Sequence, residues 1–218
     1  MNKTGFIFDL DGVIVDTAKY HYLAWKKLAD ELGVEFTEED NERFKGVSRK
    51  RCLEILLEMG HIDATQQQID AWLFEKNEDY LSYIDRMDES EILPDVPKVL
   101  DYLKRKKIPM ALGSASKNAE PILQKVSLLS YFDTIVDGNL VTRAKPDPEV
   151  FLIAGKNLGV ELENCVVFED ALAGIEAANT AGMTSIGIGD PAVLLQAKYN
   201  FTDFTQIDFE FLDSLIDR

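Results

Sequence analysis

Two aspartates two positions apart, Asp9 and Asp11, interrupt the apolar opening run GFIFDLDGVIVDT. An unpaired carboxylate is costly in a buried strand, so the pair calls for a reason. Carboxylates can attack an electrophile, move a proton, or hold a hard cation through oxygen. In a strand, residues two apart point the same way, and Gly12 lets the chain turn directly after them. Both acids can then project from the carboxyl end of a first strand, the edge at which open parallel sheets bind ligands. Asp and Gly also punctuate ordinary loops, which by itself is a sufficient account of the pair. A calcium loop fits poorly, because Gly12 comes too early and Tyr20 stands where a bidentate Glu belongs.

Other polar residues fall at comparable places. MALGSAS finishes at Ser114 ahead of a helix expected near Lys117, and CVVFED finishes at Glu169 and Asp170 ahead of ALAGIEAA. Between them RAKPDP sets Lys145 before a proline-led helix. Singly, the serines and Asp170 read as helix caps and Lys145 as a solvated loop lysine. Their coincidence at successive strand ends argues against that reading for the set.

The elements that must position these groups follow from periodicity. Short apolar runs, TGFIF, IPMALG, DTIVDG, CVVFED and MTSIGIG, alternate with segments of helical spacing such as Val96, Val99, Leu100 and Leu103. That alternation predicts an α/β fold, a doubly wound parallel sheet with helices on both faces. From about Asp16 to Glu91 the pattern is helical only. Ala18, Tyr22, Trp25, Leu28 and Leu32 form one stripe closed by Gly33; Ser48 caps a second helix ending at Gly60; Ile69, Trp72, Leu73, Tyr80 and Tyr83 mark a third. The expectation is an inserted all-helical cap domain over residues 16–91, a core made of residues 1–15 and 92–218, and hinges near Val13 to Asp16 and Glu91 to Asp95. Beyond Asp190 only strand and helix packing is legible.

Composition bounds the partners. The 218 residues carry a net charge of -16, which opposes binding to nucleic acid or to an anionic membrane surface. A phosphate-bearing ligand must therefore meet local positive charge or a bound cation. Cys52 and Cys165 lie far apart in apolar segments and read as reduced, buried thiols. No apolar run approaches the roughly 18 residues of a membrane span, and the opening lacks a signal-peptide pattern. A cytoplasmic monomer acting on a small molecule is expected.

In order and spacing, DLDGV, GSAS, Lys145 and EDALAG resemble the motifs of the haloacid dehalogenase superfamily of phosphoryl-transfer enzymes, over essentially the whole chain. The resemblance implies Asp9 as nucleophile, forming an aspartyl phosphate, and Asp11 as general acid and base. It implies Mg²⁺ held by Asp9, the main chain of Asp11, Asp170 and Glu169, the last direct or one step removed. Ser114, Ala115 and Lys145 would meet the transferring phosphate.

The insert decides which hydroxyl accepts the phosphoryl group. Its FKGVSR stretch, residues 44–49, together with His21, Trp25 and SASKN, is similar to the β-phosphoglucomutase family. By that likeness Arg49, Ser116, Lys117 and Asn118 would grip the non-transferring phosphate, while Lys45, Gly46 and Val47 would contact the substrate. His21 would approach Asp11 on cap closure, and β-glucose 1,6-bisphosphate would serve as activator and intermediate. Trp25 reads equally as packing or as substrate contact. Lys76, in FEKNEDY, is a weaker candidate whose plain reading is a helix-surface lysine. A phosphatase of small sugar phosphates would share every core motif; a non-catalytic phosphosugar-binding protein would not need them.

Overall fold

The computed structural model describes residues 3–216. Its centre is a six-stranded, all-parallel sheet. β1 (Gly5–Phe8), β2 (Met110–Gly113), β3 (Thr134–Val136), β4 (Cys165–Glu169), β5 (Thr184–Ile188) and β6 (Tyr199–Phe201) lie in the order β3-β2-β1-β4-β5-β6. The five apolar runs account for β1 to β5. Ile7 is in register with Ala111 on one side and Val167 on the other, so β1 lies at the heart of the sheet.

The period of two divides the core. Phe6, Phe8 and Phe168 face one apolar cluster with α5 (Val96–Arg105), α6 (Ala119–Lys125) and α9 (Phe209–Ile216); Ile7, Val167 and Cys165 face another with α7 (Glu149–Leu158) and α8 (Leu172–Thr180). Helices therefore cover both faces, as near-continuous apolar strands require.

The insert comprises α1 (Ala18–Leu32), α2 (Glu38–Glu42), α3 (Arg49–Met59) and α4 (Gln66–Ile84), with no strand among them. Gly33 ends α1 in the left-handed region and the Ser48 side chain accepts from Arg51 N–H, as the stop and cap signals anticipate. Trp25, Leu28, Phe36, Phe44, Leu53 and Leu56 form a separate apolar cluster, while Ala24, Tyr80 and Ile84 join the core cluster from α1 and α4. The two connections between insert and sheet are tied together: Asp16 N–H donates to Glu91 O at 2.9 Å and Leu93 N–H to Ile14 O at 3.0 Å. Among the described residues no helix is long and apolar enough to cross a membrane.

Candidate active site

The carboxyl ends of three neighbouring strands deliver Asp9, Ser114 and Glu169 to one place. β1 stops at Phe8, one residue short of the acidic pair; Asp9 N–H keeps one ladder bond, to Phe168 O at 2.9 Å, and Asp11 lies in the following turn. The turn is tight because the N–H groups of Ile14 and Val15 both reach back to Leu10 O, with Gly12 at φ 78°. The acids thus come from a strand end and a loop, rather than from two same-facing strand positions.

Lys145 is buried against two of them. Its Nζ lies 2.5 Å from Asp9 Oδ1 and 2.8 Å from Glu169 Oε2, and 4.8 Å from the Phe151 ring centroid. Burial works against its charge, but Asp9 and Glu169 outweigh it and hold the ammonium above the ordinary lysine range. Burial and Asp9 push the carboxyl of Asp170 up to about 7 against the pull of Lys45, and burial lifts Glu169 well above its usual value against the pull of Lys145. One carboxylate oxygen each from Asp9, Glu169 and Asp170 fall within 4.8 Å of one another. Crowded hard donors of this kind suit a small divalent cation such as Mg²⁺, whose charge would relieve their repulsion. The Asp11 side chain stands outside this trio.

Asp11 is held from the insert side. Thr17 Oγ1 donates to its Oδ1, and His21 Nε2 lies 3.9 Å from the same oxygen. Burial first, then Asp9, raise its carboxyl to about 6 although Thr17 opposes the shift. Thr17 occupies the N-cap of α1, but its hydroxyl caps nothing and is turned to Asp11 instead.

Lys76 corrects its expected surface position. It is 1% exposed, its Nζ lies 3.0 Å from His21 Nδ1, and the rings of Trp25 and Tyr80 lie 4.8 Å from it on either count. The cause is spacing: Trp72, Lys76 and Tyr80 recur every four residues on α4 and share its inward face. Burial and then Arg49 depress the Lys76 ammonium to about 7; burial, Lys76 and Arg49 lower His21 well below the ordinary imidazole range. Trp25 packs edge-on against Phe44 and also lines the cavity.

The cavity between insert and sheet has a volume of about 510 Å³. Every residue singled out from the sequence lines it except Glu169, which lies fully buried behind Lys145. Ser114, Ala115, Ser116, Lys117 and Asn118 form one wall; α6 begins two residues beyond the expected Lys117, because Ser114 Oγ and Ser116 Oγ accept from the N–H groups of Ser116 and Asn118 and hold the chain in a turn. Opposite, Lys45 pairs with Glu42 at 2.8 Å and reaches Asp170 at 3.8 Å. Gly46, at φ +70°, sits so close to the sheet side that a Cβ there would meet Ala171 Cβ at 2.9 Å. Val47 lies beside it on the wall. Arg49 is half-buried and its guanidinium has no carboxylate or hydrogen-bond acceptor among the described residues; burial lowers its pKa from the usual value. Asn118 Nδ2 donates to Asn77 Oδ1 on α4 at 3.1 Å, a bridge that sequence reading missed.

Residues 3–182 match the family model of haloacid dehalogenase-like hydrolases. Among curated proteins, the chain is 38% identical over 208 residues to the β-phosphoglucomutase of Bacillus subtilis, covering 94% of this chain and 92% of that one. It is 33% identical to a phosphorylated carbohydrates phosphatase of Thermotoga maritima, covering 88% and 89%. Among solved structures, a β-phosphoglucomutase from Clostridium difficile superposes with a TM-score of 0.94 at 39% identity, covering 99% and 97%.

Proposed function

The chain belongs to the haloacid dehalogenase-like hydrolases, and from that membership we propose that it is a β-phosphoglucomutase, interconverting β-D-glucose 1-phosphate and D-glucose 6-phosphate. The observation that carries the mutase reading is Arg49. A half-buried guanidinium without an anion, across one cavity from the Asp9 and Lys145 end, provides for a second phosphate besides the one being transferred. A phosphatase acting on a monoester has use for only one such place. The sugar and its anomer follow the names of the Bacillus subtilis and Clostridium difficile proteins.

The proposed cycle is ping-pong. The Asp9 carboxylate attacks phosphorus, the bond from phosphorus to the sugar oxygen breaks, and Asp11 gives that oxygen a proton, leaving phospho-Asp9 and a neutral hydroxyl. In the reverse sense a sugar hydroxyl gives its proton to Asp11 as it attacks phospho-Asp9. Starting from phospho-Asp9, the substrate becomes β-glucose 1,6-bisphosphate, which turns over between the two phosphate places and returns its other phosphate to Asp9. Asp9, Glu169, Asp170 and the main chain of Asp11 would hold Mg²⁺, which supplies charge neutralisation between the attacking carboxylate and the phosphoryl oxygens. Lys145 pairs with Asp9 and orients it, and Ser114 with Ala115 borders the same oxygens. Ser116, Lys117 and Asn118 join Arg49 at the distal phosphate, and Lys45, Gly46, Val47 and Trp25 close the cavity against water.

Phosphorus NMR tests this on the protein with Mg²⁺, β-glucose 1-phosphate and a trace of β-glucose 1,6-bisphosphate. Growth of glucose 6-phosphate without matching inorganic phosphate is expected. Inorganic phosphate in its place would make the protein a phosphatase like the Thermotoga maritima relative, and unchanged turnover in Asp9→Asn would remove the aspartyl-phosphate route altogether.

A further inference from the structure

Asn77 lines the cavity from α4 and has no part in the cycle above. Its Oδ1 accepts from Asn118 Nδ2 at 3.1 Å, across the gap between insert and sheet. Asparagine is a poor choice within a helix, because its carboxamide competes for backbone hydrogen bonds. The plain reading is one polar contact where two layers meet. Asn118, however, belongs to the turn that meets the distal phosphate in the cycle, and this turn is fixed to the sheet side: Gly138 N–H donates to Ser116 O at 3.0 Å and Asn139 Nδ2 to Lys117 O at 3.0 Å. On that fixed turn the Asn118 side chain takes its direction from the insert. Its Nδ2 carries two hydrogens; with one given to Asn77 the other remains for a phosphate oxygen, in an amide plane that Asn77 sets.

The same two helices are tied a second time. Lys125 Nζ lies 3.1 Å from Asp85 O and 3.3 Å from Asp85 Oδ1. Asp85 is the C-cap of α4 and Lys125 ends α6, whereas Asn118 is the N-cap of α6, so α4 is fastened to both ends of α6. Asp85 stands at the end of α4 that leads to Glu91, where the two connections between insert and sheet are joined. Asn77 lies about 12 Å further along the helix. A rotation of the insert about those connections moves Asn77 more than Asp85, which makes Asn77 with Asn118 the pair that opens and closes. We propose that Asn77 is a positioning residue for the distal phosphate: its hydrogen bond to Asn118 fastens α4 to the phosphate-binding turn, so that the insert is held shut over a substrate whose distal phosphate occupies that turn. A ligand without a distal phosphate gains nothing from the bond. The inference rests on the distal phosphate place of the proposed cycle.

Leucine matches asparagine in outline, suits a helix better and cannot accept a hydrogen bond. With the full chain and Mg²⁺, kcat and KM of Asn77→Leu are measured for β-glucose 1-phosphate primed with β-glucose 1,6-bisphosphate. The burst of p-nitrophenolate from p-nitrophenyl phosphate, which carries only a transferring phosphate, is followed separately. Expected is a KM higher by about 3- to 10-fold, the share of one hydrogen bond between neutral groups, with kcat and the burst rate within about twofold and a melting temperature equal to or above that of the parent. An unchanged KM, or equal losses on both substrates, would overturn the proposal. The double variant with Asn118→Leu should show the KM of Asn118→Leu alone; multiplying losses would mean that the two side chains act apart, and would overturn it as well. Phosphorus NMR of the parent keeps the two levels separate. Where glucose 6-phosphate forms, an unaffected Asn77→Leu removes only the role of Asn77, whereas release of inorganic phosphate in its place would sink the distal phosphate place and this proposal together.

Discussion

Replacing Lys76 by Met should make the protein more stable, and by an amount that depends on pH in a defined way. Lys76 is 1% exposed, enclosed by Trp25, Tyr80 and His21, and its ammonium is depressed to about 7 from 10.5, by burial first and Arg49 second. Between those two values the unfolded chain holds a proton that the folded chain lacks, so stability rises with pH across that window, by up to about 1.4 kcal/mol per pH unit. Below pH 7 the cost of folding around this lysine is at its full size, on the order of 5 kcal/mol from the gap between the two values; it shrinks as pH climbs and vanishes above 10.5. Met has nearly the same reach, sits well among aromatic rings and carries no charge. Urea unfolding of both proteins at pH 6, 7, 8 and 9 measures the difference, groups remote from Lys76 cancelling between them while His21 and Asp11, both coupled to it, shift with the substitution. The advantage of Lys76→Met should be level from pH 6 to 7 and then fall steadily. A difference that stays flat to pH 9, or a Met variant that is less stable at pH 6, would refute the argument that Lys76 is buried at the expense of its charge.

Lys145→Met leaves Asp9 and Glu169 buried without their cation, which costs about 3–5 kcal/mol and should lower the melting temperature by roughly 6–20 °C; adding Glu169→Gln should restore part of it, and calorimetry reads both. Arg49→Ala removes a charge-assisted contact worth about 1.5–3 kcal/mol, so kcat/KM for β-glucose 1-phosphate should fall by roughly 10- to 150-fold while the p-nitrophenolate burst is spared. Gly12→Ala would set a Cβ 2.1 Å from Asp170 Oδ2 and force a residue other than glycine to φ +78°; Mg²⁺ affinity measured by titration calorimetry should weaken, and an unchanged affinity would take Asp170 out of the metal-binding set.

The parallel sheet was legible because its inner strands are short, nearly pure apolar runs, and no other environment suits TGFIF or CVVFE so well. Beyond Asp190 a strand was expected but not placed, because Tyr199–Phe201 is an edge strand of three half-exposed residues with no buried face to mark it. The acids and Lys145 announced themselves by interrupting or ending apolar runs. Lys76 did not, because charged side chains are so often at the surface that its place on the Trp72 and Tyr80 face was discounted. Thr17 and Tyr80 were hidden for a different reason. A threonine before a helix and a tyrosine on an apolar stripe each have a complete local explanation, and only the fold reveals that one does not cap and the other does not bond.

The site contains two kinds of cation, and the difference between them gives the proposed cycle its order. A chain of net charge -16 has acids to spare, and several of its exposed lysines and arginines are paired with them, as Lys27 is with Asp79 and Arg51 with Glu54 and Glu58. Lys145 is paired too, but with the nucleophile, so its charge is committed before any ligand arrives. Arg49 and Lys76 line the same cavity with no ion pair to a carboxylate among the described residues, and repulsion from Arg49 helps depress the Lys76 ammonium. An anion arriving there relieves that repulsion, whereas an anion at Asp9 must first overcome the carboxylates around it. In the proposed cycle the distal phosphate is therefore the one bound for affinity, and the transferring phosphate the one held for reaction. Either phosphate of a bisphosphate can occupy either place, so the same asymmetry that retains the intermediate also lets it return reversed, which is what isomerisation demands and hydrolysis does not.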